Sequence, residues 1–326
     1  MQGLILSDLW RTAGFSVIAV STSLNRYGRL LDIVSTLVRQ RNNLDIVILE
    51  VYGGPSFVVE DIASLLSKRF NHRIVMWLHG GALPSFIARF PQWAKRVLSR
   101  ADVIVTPSPY LAHAISDHGF NARIIPNVID ISDYPHRLRN KVGPRIFWMR
   151  SFHPLYNPAL ALRAFAQLRL KVPEASLIMA GQDKGNEAEM RRLAMQLGLN
   201  GEVRFTGFLD LHGKLLEAER SDIFLNTSHI DNMPVAIVEA CALGLPVVST
   251  TVGGIPDMLT NGETGLLVSD DDDDAVVAAL HRLIDEPELA SQLSTNGRKL
   301  AENSSWERVR PEWAQVFAEL AIDSGT

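Results

Sequence analysis

Two carboxylates eight positions apart, Asp231 and Glu239, flank Asn232, Met233, Pro234 and Val235 in the stretch from Phe224 to Thr250. That stretch reads as a buried strand, a polar loop, a helix and a second buried strand, with Gly244 closing the helix as a C′ residue. Asp231 or Asn232 can cap the helix through a side-chain oxygen, and Pro234 suits its first position, where a missing N–H costs nothing. A helix N-terminus offers unpaired N–H groups and about half an elementary positive charge, which suits a phosphate or a sugar oxygen. An ordinary capped helix with an incidental Glu accounts for the same residues.

Arg150 ends the apolar run Phe147-Trp148-Met149, and Asn157-Pro158 then opens a helix with a cap and a proline at its first position. At a strand's carboxyl end a guanidinium can make paired, charge-assisted bonds to a phosphate; the plain alternative is a surface salt bridge. Gly181, in Ala180-Gly181-Gln182, and Gly207, in Thr206-Gly207-Phe208, end two further strands, and Gly253-Gly254 follows another. Glycine there lets a ligand approach the backbone, or serves the turn alone. His79-Gly80-Gly81 follows Val75-Met76-Trp77-Leu78, which places an imidazole either in a ligand contact or in the core. The run Asp270 to Asp274 precedes a helix and is expected to cap it rather than to bind a metal. No Gly-x-Ser-x-Gly elbow, Walker loop, Gly-x-Gly-x-x-Gly fingerprint or Cys-His metal spacing is present, which removes hydrolase, NTPase and simple dehydrogenase readings.

The elements that must position these residues alternate along the chain. Helix 4–13 and strand 15–20 come first, then helix 28–41, strand 45–51, helix 56–70, strand 73–78, helix 92–100, strand 102–106, helix 110–118 and strand 122–125. Strands such as Asp45-Ile46-Val47-Ile48-Leu49 are continuously apolar, as when helices cover both faces of a parallel sheet. An irregular, basic segment, 127–144, reads as a linker. A second alternating unit runs from strand 145–149 to helices 274–284 and 287–300. The fold class is α/β, with two Rossmann-like domains, 1–142 and 143–303, and an expected ligand crevice at the carboxyl ends of the strands. A last segment, 304–326, carries Trp306, Val309, Trp313, Val316, Phe317 and Leu320 at helical spacing. It is expected to pack back across the domain junction, or to serve a partner surface.

Composition sets the setting. The 326 residues are 47% hydrophobic with a formal net charge of −4, enough for two cores and without the basic stripe of a nucleic-acid binder. One cysteine, Cys241, builds neither a disulfide framework nor a Cys-based metal site. No apolar run reaches the length of a membrane span and the first residues lack a signal peptide's basic region, so the expected location is the cytoplasm, with peripheral membrane contact left open.

The segment from Asp231 to Ala240, continuing through Gly244-Leu245-Pro246-Val247-Val248, Gly253-Gly254-Ile255-Pro256-Asp257 and Asn261-Gly262-Glu263-Thr264-Gly265, resembles the retaining glycosyltransferases of family 4. Ile125-Pro126-Asn127-Val128-Ile129-Asp130 and Arg150 match as well. The resemblance implies the GT-B fold, with two facing domains and a cleft between them, no metal and no cofactor. It also implies transfer of a hexose from a nucleotide diphosphate sugar with retention at the anomeric carbon. On that pattern Glu239 binds the ribose, Asp231 stands where the family's Glu-x7-Glu motif has its first Glu, and the backbone of Asn232, Met233, Pro234 and Val235 holds sugar and diphosphate oxygens. Arg150 neutralises the leaving diphosphate, and His79 contacts the donor sugar; Gly181, Gln182, Phe208 and Asn157 complete the expected donor site.

Three departures stand out. Asp replaces the usual Glu at Asp231, and Leu155, Tyr156 and Asn157 stand where the family has a Lys. The family's opening strand and glycine-rich loop are not matched, so the chain is expected to start after them, which bears on full activity; the first reading stays a retaining glycosyltransferase. A non-catalytic GT-B subunit that binds a nucleotide or a protein partner is therefore the second reading, and a nucleotide-sugar epimerase the third.

Overall fold

The computed structural model describes residues 2–21, 23 and 25–322. The chain forms two compact units: one comprises the residues up to Ile129 together with the segment from Trp306, the other Asp130–Ser305.

In the first unit the order is α1 (Gln2–Thr12), α2 (Arg26–Arg39), β1 (Ile46–Val51), α3 (Phe57–Arg69), β2 (Arg73–Leu78), α4 (Leu83–Arg89), α5 (Pro91–Leu98), β3 (Val103–Thr106), α6 (Pro109–Ser116) and β4 (Arg123–Ile124). The strands pair in parallel in the order β1-β2-β3-β4. Continuously apolar strands follow from this layering: one face of the sheet packs on Phe57, Leu83, Ile87, Val97 and Leu111, the other on Trp10.

Residues 15–20, expected as a strand, form none. A ladder needs a partner for each backbone group, and this segment folds back on α1 instead. The Phe15 amide donates to the Trp10 carbonyl at 3.1 Å, Arg11 Nε donates to the Val17 carbonyl at 3.1 Å, and the Phe15 ring meets Trp10 edge-on. Helix α4 falls between the expected strand 73–78 and helix 92–100, and Pro84 occupies its first turn, where proline is tolerated.

The second unit contains β5 (Arg145–Met149), α7 (Pro158–Lys171), β6 (Ser176–Ala180), α8 (Glu187–Gln196), β7 (Val203–Gly207), α9 (Leu211–Glu219), β8 (Ile223–Asn226), α10 (Val235–Ala242), β9 (Val247–Thr250), α11 (Ile255–Met258), β10 (Leu266–Val268), α12 (Asp273–Asp285) and α13 (Pro287–Glu302). Its six parallel strands run β10-β9-β8-β5-β6-β7, a doubly wound order that reverses between β5 and β8. The crevice outside the carboxyl ends of β5 and β8 is the switch point where such sheets take ligands.

The unit boundary falls at Ile129 and Asp130 rather than at 142. Residues 130–142 belong to the second unit because their side chains bond into it: the buried Arg139 guanidinium donates to the Arg137 carbonyl at 2.8 Å, to that of Ala218 at 2.9 Å and to that of Leu243. It thereby satisfies carbonyls at the C-terminal ends of α9 and α10. The last helix, α14 (Trp306–Ile322), belongs to the first unit. Its Val309, Trp313, Val316 and Leu320 form one core with Trp10, Trp77, Val105 and Val128, and Pro311 lies inside the helix.

Candidate functional site

Arg150 follows β5 directly, and the loop from Thr227 to Pro234 leaves β8, so both border the switch point. The backbone fixes Arg150 closely. Its amide donates to the Ala180 carbonyl at 3.0 Å, and a Cβ on Gly181 would lie 1.8 Å from the Arg150 carbonyl oxygen. Only glycine permits that approach. The guanidinium is mostly buried, pairs through Nη2 with Asp231 and lies 4.1 Å over the Tyr156 ring, while its Nε has no hydrogen-bond partner. The ion pair is real, but it sits at the switch point and not on the open surface.

The loop beyond β8 is held from three sides. Trp148 Nε1 donates to the Thr227 hydroxyl at 2.9 Å, and that oxygen lies 2.8 Å from the Asn157 carbonyl. The Gly254 amide donates to the Asp231 carbonyl at 3.0 Å. A Cβ on Gly253 would lie 1.9 Å from that same oxygen, and one on Gly254 would lie 2.3 Å from the Asn232 carbonyl oxygen. Gly253-Gly254 therefore works as a close packing surface for the Asp231 loop.

Capping of α10 differs from the expectation. Pro234 is itself the cap residue, Val235 opens the helix, and no side chain caps it. Asp231 accepts the Asn232 amide at 2.9 Å through Oδ1 and meets Arg150 through Oδ2, so its carboxylate is spent on its own loop and on the cation. Met233 and Val235 are partly exposed in this turn, while Asn232 and Pro234 are buried.

Glu239, on α10, is 5% exposed. Lys214, on α9, donates to both of its oxygens at 2.7 and 3.0 Å, and the Tyr134 hydroxyl donates to Oε1 at 2.9 Å. Burial first, and then the Glu239 charge, hold the Tyr134 phenol well above its ordinary range, so it stays a donor. Sequence reasoning missed both partners. Lys214 lies 25 positions away on another helix and Tyr134 lies 105 away, and no local spacing links them to Glu239.

The other expected residues sit as follows. Asn157 adopts a left-handed conformation and caps α7, accepting the Leu160 amide at 3.2 Å, and its Nδ2 donates to Asp271 at 3.1 Å. Gln182 is exposed and its carbonyl accepts the Phe152 amide at 2.9 Å; Phe208, after β7, is 74% exposed. In the acidic run Asp272 caps α12, accepting the Ala275 amide at 2.9 Å, while Asp271 and Asp273 pair with Arg163. Among the described residues no cluster of three or more His, Cys, Asp or Glu could hold a metal ion.

His79 lies in the first unit at the end of β2 and is 5% exposed. Burial pushes its pKa down to about 3, so the imidazole is neutral near pH 7. It stacks on Tyr52 with ring centroids 5.2 Å apart, and Nε2 stands 3.7 Å from Glu50 Oε1 without a hydrogen bond. Sequence reasoning missed two carboxylates of this unit: Glu50, whose pKa burial raises, and Glu60, which burial pushes up to about 8.

Taken together, the fold and the second unit's site define a two-unit α/β protein whose switch point carries a buried guanidinium and a carboxylate beside a helix start. Comparison with known proteins gives the family. The model "Glycosyl transferases group 1" matches residues 135–300, half of the chain, and "Glycosyltransferase Family 4" matches residues 14–133. The chain belongs to the glycosyl transferases group 1, an enzyme family.

It is 26% identical over 290 residues to a GDP-mannose-dependent alpha-(1-6)-phosphatidylinositol monomannoside mannosyltransferase of Mycolicibacterium smegmatis, covering 82% of this chain and 76% of that one. It is 33% identical over 181 residues to a D-inositol 3-phosphate glycosyltransferase of Rhodococcus jostii, covering 52% of this chain and 40% of that one. The chain thus spans about three quarters of the first relative and two fifths of the second. Among solved structures, Anabaena Alr3699/HepE in complex with UDP-glucose superposes with a TM-score of 0.77 at 19% identity, over 97% of this chain and 89% of that one. That likeness is one of fold, the GT-B fold. Among the described residues no helix is long and apolar enough to cross a membrane.

Proposed function

We propose that the protein is a metal-independent, retaining hexosyltransferase that takes its donor as a UDP- or GDP-linked sugar. The observation that carries the proposal is the Arg150 guanidinium at the switch point, buried, paired on one side with Asp231 and unpartnered at Nε. A cation so placed can take a diphosphate oxygen and stabilise the charge that develops there as the anomeric C–O bond breaks. Glu239 takes a ribose hydroxyl, which a carboxylate oxygen can accept and an apolar side chain cannot. Asp231, held by Arg150 and by its own loop, faces the sugar, and the first turn of α10 offers N–H groups to sugar or phosphate oxygens. The UDP-glucose in the Anabaena structure and the GDP-mannose dependence in the mycobacterial relative's name support a nucleotide-diphosphate hexose as the donor class.

Isothermal titration with UDP and GDP tests the reading. One of the two should bind the intact protein and lose most of its affinity in Glu239→Ala; binding of neither, or an unchanged isotherm in the variant, sinks it. A second reading, a nucleotide-binding subunit without turnover, is favoured by one observation: the Asn157 side chain, in the stretch where a lysine was expected, is spent on capping α7 and on Asp271. Transfer or donor hydrolysis that Asp231→Ala abolishes decides against it.

A further inference from the structure

Lys214 is the cation that faces Glu239, and it comes from an element outside the motif that carries Glu239. Helix α9 follows β7 and α10 follows β8, so both begin at the carboxyl edge of the same parallel sheet. Asp210 caps α9, accepting the Gly213 amide at 2.8 Å, which sets Lys214 one turn into the helix. The Lys214 side chain is 25% exposed and the Glu239 side chain 7%, so the pair is open toward solvent on the lysine side. Tyr134 closes the other side: its hydroxyl donates to Glu239, and Arg298 on α13 pins its carbonyl at 2.9 Å.

Counting bonds shows what this arrangement leaves. Glu239 Oε1 receives two donors and Oε2 one. Two carboxylate oxygens accept about four hydrogen bonds in all, so Oε2 keeps a lone pair. The ammonium has three protons and places two on Glu239, leaving one for an oxygen of a ligand. A vicinal diol presents a hydroxyl donor and, 1,2 to it, a hydroxyl oxygen acceptor, which matches a carboxylate and an ammonium side by side.

We propose that Lys214 is a positioning residue of the nucleotide site: it keeps the buried Glu239 carboxylate aimed, and with it forms a two-point clamp for the ribose diol. The proposal rests on the nucleotide-binding reading above and deepens it. A buried carboxylate without its counter-charge is costly to hold in place, and one that turns away removes an acceptor from the ribose.

The test is isothermal titration of UDP and GDP and of their 2′,3′-dideoxy counterparts with the wild-type protein, Lys214→Met, Lys214→Gln and Lys214→Arg. The wild type should prefer the ribose form. Lys214→Met and Lys214→Gln should lose affinity for that form about tenfold, the worth of one charge-assisted bond, and bind ribose and dideoxyribose forms about equally. Lys214→Arg should restore the preference. A folded Lys214→Met or Lys214→Gln that keeps the wild-type ribose preference overturns the assignment while leaving nucleotide binding in place; a wild type that binds neither nucleotide sinks the functional reading and the clamp with it.

Discussion

Gly253 and Gly262 make a matched pair of perturbations. Both have positive φ, +55° and +78°, so an alanine at either site carries the left-handed penalty of about 1–2 kcal/mol. Their surroundings differ. A Cβ at Gly262 meets nothing within 4 Å, whereas one at Gly253 would lie 1.9 Å from the Asp231 carbonyl oxygen. Relief to the 3.0 Å that real Cβ atoms respect needs a shift of at least 1.1 Å between the two loops. That shift falls on the residue that pairs with Arg150 and anchors the Gly254 amide. A misplacement of about 1 Å at a reacting centre costs on the order of 100-fold in rate. Gly262→Ala should therefore lose about 1–2 kcal/mol in urea unfolding with little change in donor turnover. Gly253→Ala should lose that and more, together with about 100-fold in turnover. Equal stability loss and equal turnover in the two variants would refute the argument that the glycine pair exists to seat the Asp231 loop.

Other outcomes follow from the same geometry. Arg139→Met leaves the Ala218 and Leu243 carbonyls without their buried donor and should cost about 3 kcal/mol in denaturant unfolding; a loss under about 1 kcal/mol would show that water replaces the guanidinium. Burial holds the Glu60 pKa at about 8, above its value of 4.5 in a solvated chain, so its contribution is complete below pH 4.5 and is lost as the pH rises through 8. Glu60→Gln should flatten that decline in stability between those pH values; an unchanged profile contradicts it. His79 runs the other way: with its folded pKa near 3 and its unfolded value near 6.5, stability is full above pH 6.5 and falls as the pH drops toward 3, by at most about 1.4 kcal/mol per unit. His79→Gln should remove that part of the acid sensitivity seen in thermal melts between pH 6.5 and 4.

Much of the architecture was legible because both cores write themselves into local sequence. Runs such as Ile46–Leu49 and Ile146–Met149 are apolar on both faces, and Asn157-Pro158 and Asp272 mark helix starts where the structure has them. The strand expected at 15–20 shows the limit. Its apolar residues look like any other strand, but a strand exists only by pairing, and the backbone there bonds to α1. The site was legible to the extent that its residues are contiguous. Arg150 and the loop from Asp231 to Val235 were found at strand ends. The partners of Glu239 were not, because Lys214 and Tyr134 reach it only after α9 and residues 130–142 have folded onto α10. The use of Asp231 was misjudged for the same reason: capping is a local rule, and a cation from across the switch point outcompeted it.

The central claim is that the second unit's switch point, with Arg150, Asp231 and Glu239, supports transfer of a hexose with retention. Proton NMR of the product formed from a UDP- or GDP-linked α-hexose tests it most directly. The account predicts an α-configured product from the wild type, and loss of product in Arg150→Ala and Asp231→Ala. A β-configured product, or product formation untouched by both substitutions, would contradict it.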